Sequence, residues 1–85
     1  MSFKVKLSNN ARKTFRKIPQ PWKKKISIYL DMLSFDPYIG KKLEGKYKND
    51  YSIRVWLFRI IYTIKKKELI IEVIEIEYRG SAYGK

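Results

Sequence analysis

The chain has 85 residues, with 20 Lys and Arg against eight Asp and Glu for a formal charge of +12, and it contains neither cysteine nor histidine. The missing residue types exclude a disulfide framework, thiolate catalysis, cysteine-ligated zinc and every Ser-His or Cys-His catalytic arrangement, and they remove the commonest general base. The charge exceeds what solubility needs and predicts a polyanion or a strongly acidic protein as partner.

The length predicts one small domain over residues 1–85, with its function on the surface or in a single cleft. The carboxylates are dispersed along the chain, so a dedicated metal site is not expected and no cofactor is implied. The longest apolar stretch is too short to span a bilayer and the start lacks the apolar core of a signal peptide, which predicts a cytoplasmic protein with no membrane partner.

Phe3, Val5 and Leu7 alternate with Ser2, Lys4 and Lys6, the period of a short half-buried strand. Ser8 or Asn9 can then cap a helix that turns Ala11, Phe15 and Ile18 inward, and Pro19 and Pro21 stop it. A second helix can start at Pro21, where a missing N–H costs nothing, and bury Trp22, Ile26, Leu30 and Leu33 down one stripe until Phe35-Asp36-Pro37 ends it. The outer surface of this helical hairpin carries Arg12, Lys13, Arg16, Lys17, Lys23, Lys24 and Lys25. From Asp36 to Asp50 the composition turns to Gly, Lys, Tyr and Asp without a period, which reads as a loop.

Three β-branched, apolar runs follow. Tyr51 to Val55 and Phe58 to Ile64 flank Trp56-Leu57, so an antiparallel hairpin pairs Val55 with Phe58 and Arg54 with Arg59. Residues directly opposite share a face, which stacks Tyr51, Ile53, Val55, Phe58, Ile60 and Tyr62 on an apolar side and leaves Ser52, Arg54, Arg59 and Thr63 on the other. Trp-Leu lacks the Asn or Gly that a type I′ turn favours. Lys65-Lys66-Lys67 is the expected turn into a third run, Leu69 to Tyr78, in which Ile70, Ile74, Ile76 and Tyr78 form the apolar face while Glu75 and Glu77 fall in phase with Arg79.

The order strand, helix, helix, three strands predicts an α+β layer: a helical hairpin packed on one face of a small antiparallel sheet, with the other face open. Two arginines directly opposite each other repel. Glu75 and Glu77, or an external phosphate, are the candidate anions beside them.

Lys42-Leu43-Glu44-Gly45, Tyr51-Ser52-Ile53-Arg54-Val55, Phe58-Arg59-Ile60-Ile61-Tyr62 and Tyr78-Arg79 with Tyr83 form a series, spread over nearly the whole chain, that resembles the RelE/ParE superfamily of toxins from bacterial and archaeal toxin-antitoxin modules. The resemblance implies a RelE-like βααβββ fold and a small cytoplasmic toxin held inactive by an acidic cognate antitoxin. It also implies one of two activities, cleavage of mRNA in the ribosomal A site or, for ParE-like members, inhibition of DNA gyrase by binding. By resemblance to the RelE pattern, Arg54, Arg59 and Arg79 fall at catalytic cationic positions and Tyr83 at the terminal tyrosine that stacks on substrate or moves a proton. Ser52 stands where the best-studied type carries a lysine, and the chain ends two residues after Tyr83, without a long C-terminal helix. Lys42, Lys46 and Lys48 of the loop, Ser52, and Arg12, Arg16 and Lys24 of the helices are the further candidate RNA contacts.

Such a site suits RNA cleavage by 2′-OH attack, because fixed cations aimed at the phosphorane oxygens are usually the largest catalytic contribution. Arginine binds phosphate bidentately and stays charged. Without histidine the proton must move through Tyr83, a carboxylate such as Glu75 or Glu77, or a lysine such as Lys46 or Lys48.

Overall fold

Ser8 sets where the first helix begins. Its extended backbone ends β1 (Lys4–Leu7), and its hydroxyl accepts a hydrogen bond from the Ala11 amide at 3.0 Å, capping α1 (Asn9–Lys17). Then follow α2 (Trp22–Phe35), a single 3-10 turn (Pro37–Ile39), β2 (Lys41–Lys42), β3 (Tyr51–Val55), β4 (Phe58–Lys65) and β5 (Ile70–Tyr78). This computed structural model describes residues 2–45 and 49–79.

The five strands form one sheet in the order β1-β5-β4-β3-β2. β1 lies parallel to β5, while the other pairs are antiparallel. The sheet is therefore mixed, a feature that alternation cannot reveal because a half-buried strand reads the same beside either kind of neighbour. The two-residue β2 was also hidden, since it sits in the segment that lacks any period and is held only by its pairing with Tyr51 and Ser52.

Both helices cover one face of the sheet. Ala11, Ile18, Ile26, Leu30 and Leu33 from the helical layer join Val55, Phe58, Ile60, Tyr62, Ile71, Val73 and Ile76 in one apolar cluster, with Phe15, Trp22, Tyr51 and Ile53 packed against it. The inward stripes expected for α1 and α2 are thus the ones observed. No helix among the described residues is long and apolar enough to cross a membrane.

The β3–β4 hairpin has the expected register, Val55 opposite Phe58 and Arg54 opposite Arg59, closed by Trp56 and Leu57. Trp56 takes a φ of 57°. Positive φ at the first central position and not the second follows the type II′ pattern, whose first central position ordinarily takes glycine, so Trp56 holds a conformation unusual for its side chain. The next loop, Lys66 to Leu69, is one residue longer than three lysines and takes Leu69 out of the strand, at a φ of 56°.

β5 departs from simple alternation. Ile61 pairs with Glu75 and Tyr62 with Val73, so Ile74 is an extra residue without a partner on β4. The inward positions are therefore Ile71 and Val73 before the bulge and Ile76 and Tyr78 after it. Ile70 and Ile74 do not belong to the apolar face as expected: Ile70 stands opposite the exposed Lys65, and the bulge breaks the phase that linked it to Ile76. Ser8 holds the irregularity in place. Its amide donates to the Val73 carbonyl at 2.9 Å and its hydroxyl donates to the Ile74 carbonyl at 2.7 Å.

The helical hairpin reaches the far edge through Tyr62. Its hydroxyl donates to the Pro37 carbonyl at 2.7 Å and accepts from the Gly40 amide at 3.2 Å. A Cβ at Gly40 would collide with that hydroxyl and lie 2.7 Å from the Ser52 carbonyl oxygen, so only glycine lets the chain pass here into β2. Burial pushes the Tyr62 phenol up to about 12, with the Gly40 hydrogen bond opposing the shift.

Two stability outcomes follow from these contacts. Ser8→Ala removes both a helix cap and the donor to Ile74, and is expected to cost about 1–2 kcal/mol in urea denaturation. Tyr62→Phe is expected to cost about 1–3 kcal/mol at neutral pH by orphaning buried backbone groups. Because the folded phenol ionises above the ordinary value of 10.0, wild-type stability from this group is complete below about pH 10 and is lost as pH rises toward 12. The gap between wild type and Tyr62→Phe should therefore narrow across that window, and a constant gap would contradict the assignment.

Candidate functional site

Alternation along β3 and β4 sends Ser52, Arg54, Arg59 and Ile61 to the face turned away from the helices. Two cross-strand rows result. One runs Lys41, Ser52, Ile61, Glu75, and the next runs Arg54, Arg59, Glu77. Ile61 is only 1% exposed although it faces away from the core, so the outer face has a dry, apolar floor beside its charges. Low polarity beneath a cation strengthens its pull on an anion.

The charges are unevenly balanced. Arg59 approaches Glu77 at 3.9 Å, a loose pair with both side chains about a third exposed. Among the described residues Arg54 and Arg79 form no salt bridge. Arg79 is placed by its own backbone: beyond the end of β5 its amide donates to the Leu57 carbonyl at 2.6 Å, which fixes it beside the β3–β4 turn.

Arg54 is shared by two adjoining depressions. One is lined by Arg54, Trp56, Leu57 and Arg79, and the other by Lys41, Leu43, Ser52, Arg54 and Arg59. Arg54 of β3, Arg59 of β4 and Arg79 just beyond β5 therefore do gather on one face, but through a shared central residue rather than within a single pocket. Ser52 is part of the second depression. Lys42 is not: its partner Tyr51 faces inward, and Lys42 instead borders a separate hollow with Leu43, Glu44, Gly45 and Asn49. Lys41 takes the place at the site. The period-free loop gave no phase from which to choose between the two lysines.

Arg12, Arg16 and Lys24 are exposed on the helical layer, across the sheet from Arg54 and Arg59. Arg12 reaches the Leu7 carbonyl at 3.5 Å. These three belong to a second basic surface and cannot share a nucleotide linkage with the sheet-face arginines. Lys46, Lys48 and Tyr83 lie outside the described residues. Trp56 was missed as a site residue; its sign in the sequence was a large aromatic in a turn position that favours Asn or Gly.

A family model described as the ParE toxin of the type II toxin-antitoxin system, parDE, matches residues 5–83. The chain belongs to this family. The toxin's fold is shared with solved structures of the wider RelE/ParE superfamily. It is 21% identical to a chain of the toxin-antitoxin complex RelBE2 from Mycobacterium tuberculosis, with a TM-score of 0.86 over 93% of this chain and 100% of that one. For the intact RelBE toxin-antitoxin complex of E. coli the values are 20% and 0.82, over 93% and 99%. For the YoeB/ParE toxin from Agrobacterium tumefaciens they are 16% and 0.77, over 92% and 100%. At such identities the likeness is one of fold. No curated protein matches the sequence.

Arg54 and Arg59 stand directly opposite each other in the toxin, and like charges so placed repel. Arg54→Gln is expected to raise folding stability by several tenths of a kcal/mol, with a larger gain at low salt than at high salt, in urea titrations at the two ionic strengths. A loss of stability in both conditions would show that Arg54 has a compensating partner.

Proposed function

We propose that this toxin is a metal-independent endoribonuclease that cleaves mRNA on the ribosome and so inhibits translation, acting in the cytoplasm under the control of an acidic antitoxin. The observation that supports this reading most directly is the pair of arginines without carboxylate partners among the described residues, Arg54 and Arg79, with Arg54 also bordering a third, Arg59, on the open sheet face. The complexes with which the fold is shared are toxin-antitoxin complexes, which supports an antitoxin as a further partner.

In this reading the scissile phosphate lies against Arg54, with Arg59 and Arg79 completing a cationic clamp from either side. Attack by the 2′-oxygen on phosphorus forms a new O–P bond as the 5′-oxygen departs, and the guanidinium groups neutralise the charge that builds on the non-bridging oxygens. Glu77 restrains Arg59 and is the carboxylate nearest to it, which makes it a candidate for carrying the proton. Tyr83 retains the role of stacking or proton transfer that the superfamily pattern implies. A site with so few proton-transfer groups depends on its surroundings to position the message, a task suited to the ribosome.

The match to the ParE family model favours a second reading, in which the toxin binds and inhibits DNA gyrase without chemistry of its own. Pulse labelling after induction separates the two: loss of protein synthesis supports the nuclease and loss of DNA synthesis the gyrase inhibitor. Replacing Arg54, Arg59 and Arg79 singly by Gln should lower the rate of ribosome-dependent mRNA cleavage by roughly 10²-fold each, measured by primer extension on a translated message. Cleavage that survived the triple replacement would refute the assignment.

A further inference from the structure

Trp56 combines features that the phosphate clamp does not require. It occupies the tip of the β3–β4 turn with a φ of 57°, a conformation that disfavours a bulky residue. Its indole stacks on Trp22 of α2, with ring centroids 5.5 Å apart and planes 10° from parallel. Stacking occupies one face of the ring, yet Trp56 remains 64% exposed, so its other face is open to water. The stack also makes the platform rigid, since Trp22 is itself packed against the core. Arg54, Leu57 and Arg79 complete the depression, about 330 Å³ in volume, that Trp56 borders.

We infer that Trp56 is a base-stacking platform for single-stranded RNA: a nucleobase lies on its open indole face, and the adjoining phosphates are held by Arg54 and Arg79. Aromatic faces beside cations form the common binding unit for single strands, because every base has a π-face and every linkage a charge. A covering role for Trp22 alone would be met by a side chain that lost its exposure on stacking. Trp56 does not lose it. The platform holds the base of a nucleotide that flanks the linkage gripped by Arg54, and it rests on the nuclease reading proposed above.

The test uses tryptophan fluorescence of the full chain, which has only the two tryptophans Trp22 and Trp56. Wild type is titrated at low salt with a short single-stranded RNA and with an abasic oligomer of the same phosphate number, and the titrations are repeated on Trp56→Ala and Trp56→Phe. The inference requires quenching by the RNA but not by the abasic strand. It also requires about a tenfold loss of RNA affinity in Trp56→Ala with an unchanged salt dependence, and near wild-type binding in Trp56→Phe. Circular dichroism establishes that the variants are folded, and the wild-type comparison of the two oligomers stands even where a variant is not. RNA that binds wild type and Trp56→Ala equally, or an abasic strand that quenches as well as RNA, overturns the platform and leaves the nuclease reading standing. Absence of any RNA binding by wild type overturns the platform, while the nuclease reading stands or falls separately by primer extension on a translated message.

Discussion

One extra residue in β5 determines how the sheet divides its two faces. The run Ile70-Ile71-Glu72-Val73-Ile74-Glu75-Ile76-Glu77-Tyr78 cannot be read with a single period of two: burying Ile71 and Val73 in strict alternation would also bury Glu75 and Glu77. Unpaired carboxylates in an apolar core are far more costly than an irregular ladder. The bulge at Ile74 resolves the conflict, placing Ile76 and Tyr78 back over the core and returning Glu75 and Glu77 to the face that carries the arginines. Ser8 ties this point to the start of α1, because one hydroxyl both caps the helix and satisfies the bulged carbonyl. The position of the helical layer and the phase of the charged face are thereby set together.

The charged face is built against its own electrostatics. Arg54 and Arg59 are paired directly across two strands, and Glu77 offsets only one of them. Beneath the next row lies the buried Ile61, which keeps water from screening the cations from below. A surface selected for stability alone would place a carboxylate opposite Arg54. A residual imbalance at one spot of an otherwise well-packed sheet is the kind of local inconsistency that marks a site where an external anion is meant to complete the set. The basic helices are different: Arg12, Arg16 and Lys24 are exposed on a solvated layer, where salt screens them.

Much of this was legible before any coordinates, for identifiable reasons. The two-residue Trp56-Leu57 link fixed the hairpin register, and with it the opposition of Arg54 and Arg59, because pairing in a hairpin follows from loop length and side-chain period. The helix stripes were legible because Pro19, Pro21 and Pro37 bound them and the apolar spacing between is regular. The bulge and the short edge strand were illegible for one cause, the absence of a usable period. The extra residue at Ile74 leaves a run of isoleucines that fits either phase. The two-residue strand at Lys41 has no room for alternation, so Lys42 was chosen where Lys41 faces the site. Trp56 stands out locally only as a poor turn residue; its stack on Trp22 is a contact between positions 34 apart that no local pattern encodes.

The two proposed activities make different demands on the same fold. Binding another protein needs shape and a net field, and for that the scattered cations of the helices would serve as well as any. Transition-state stabilisation needs charges fixed at one point before the reaction, since donors that must reorganise as charge develops contribute much less. On the nuclease reading the sheet face would answer the second demand: strands place the backbones of Arg54 and Arg59 opposite each other, a backbone hydrogen bond places Arg79 beside the turn, and Trp56 is stacked on Trp22. An acidic antitoxin that covered this face would relieve the repulsion and remove the clamp in one step. On the proposed reading, inhibition and catalysis therefore compete for the same guanidinium groups, and tighter control by the antitoxin need not require any contact away from them.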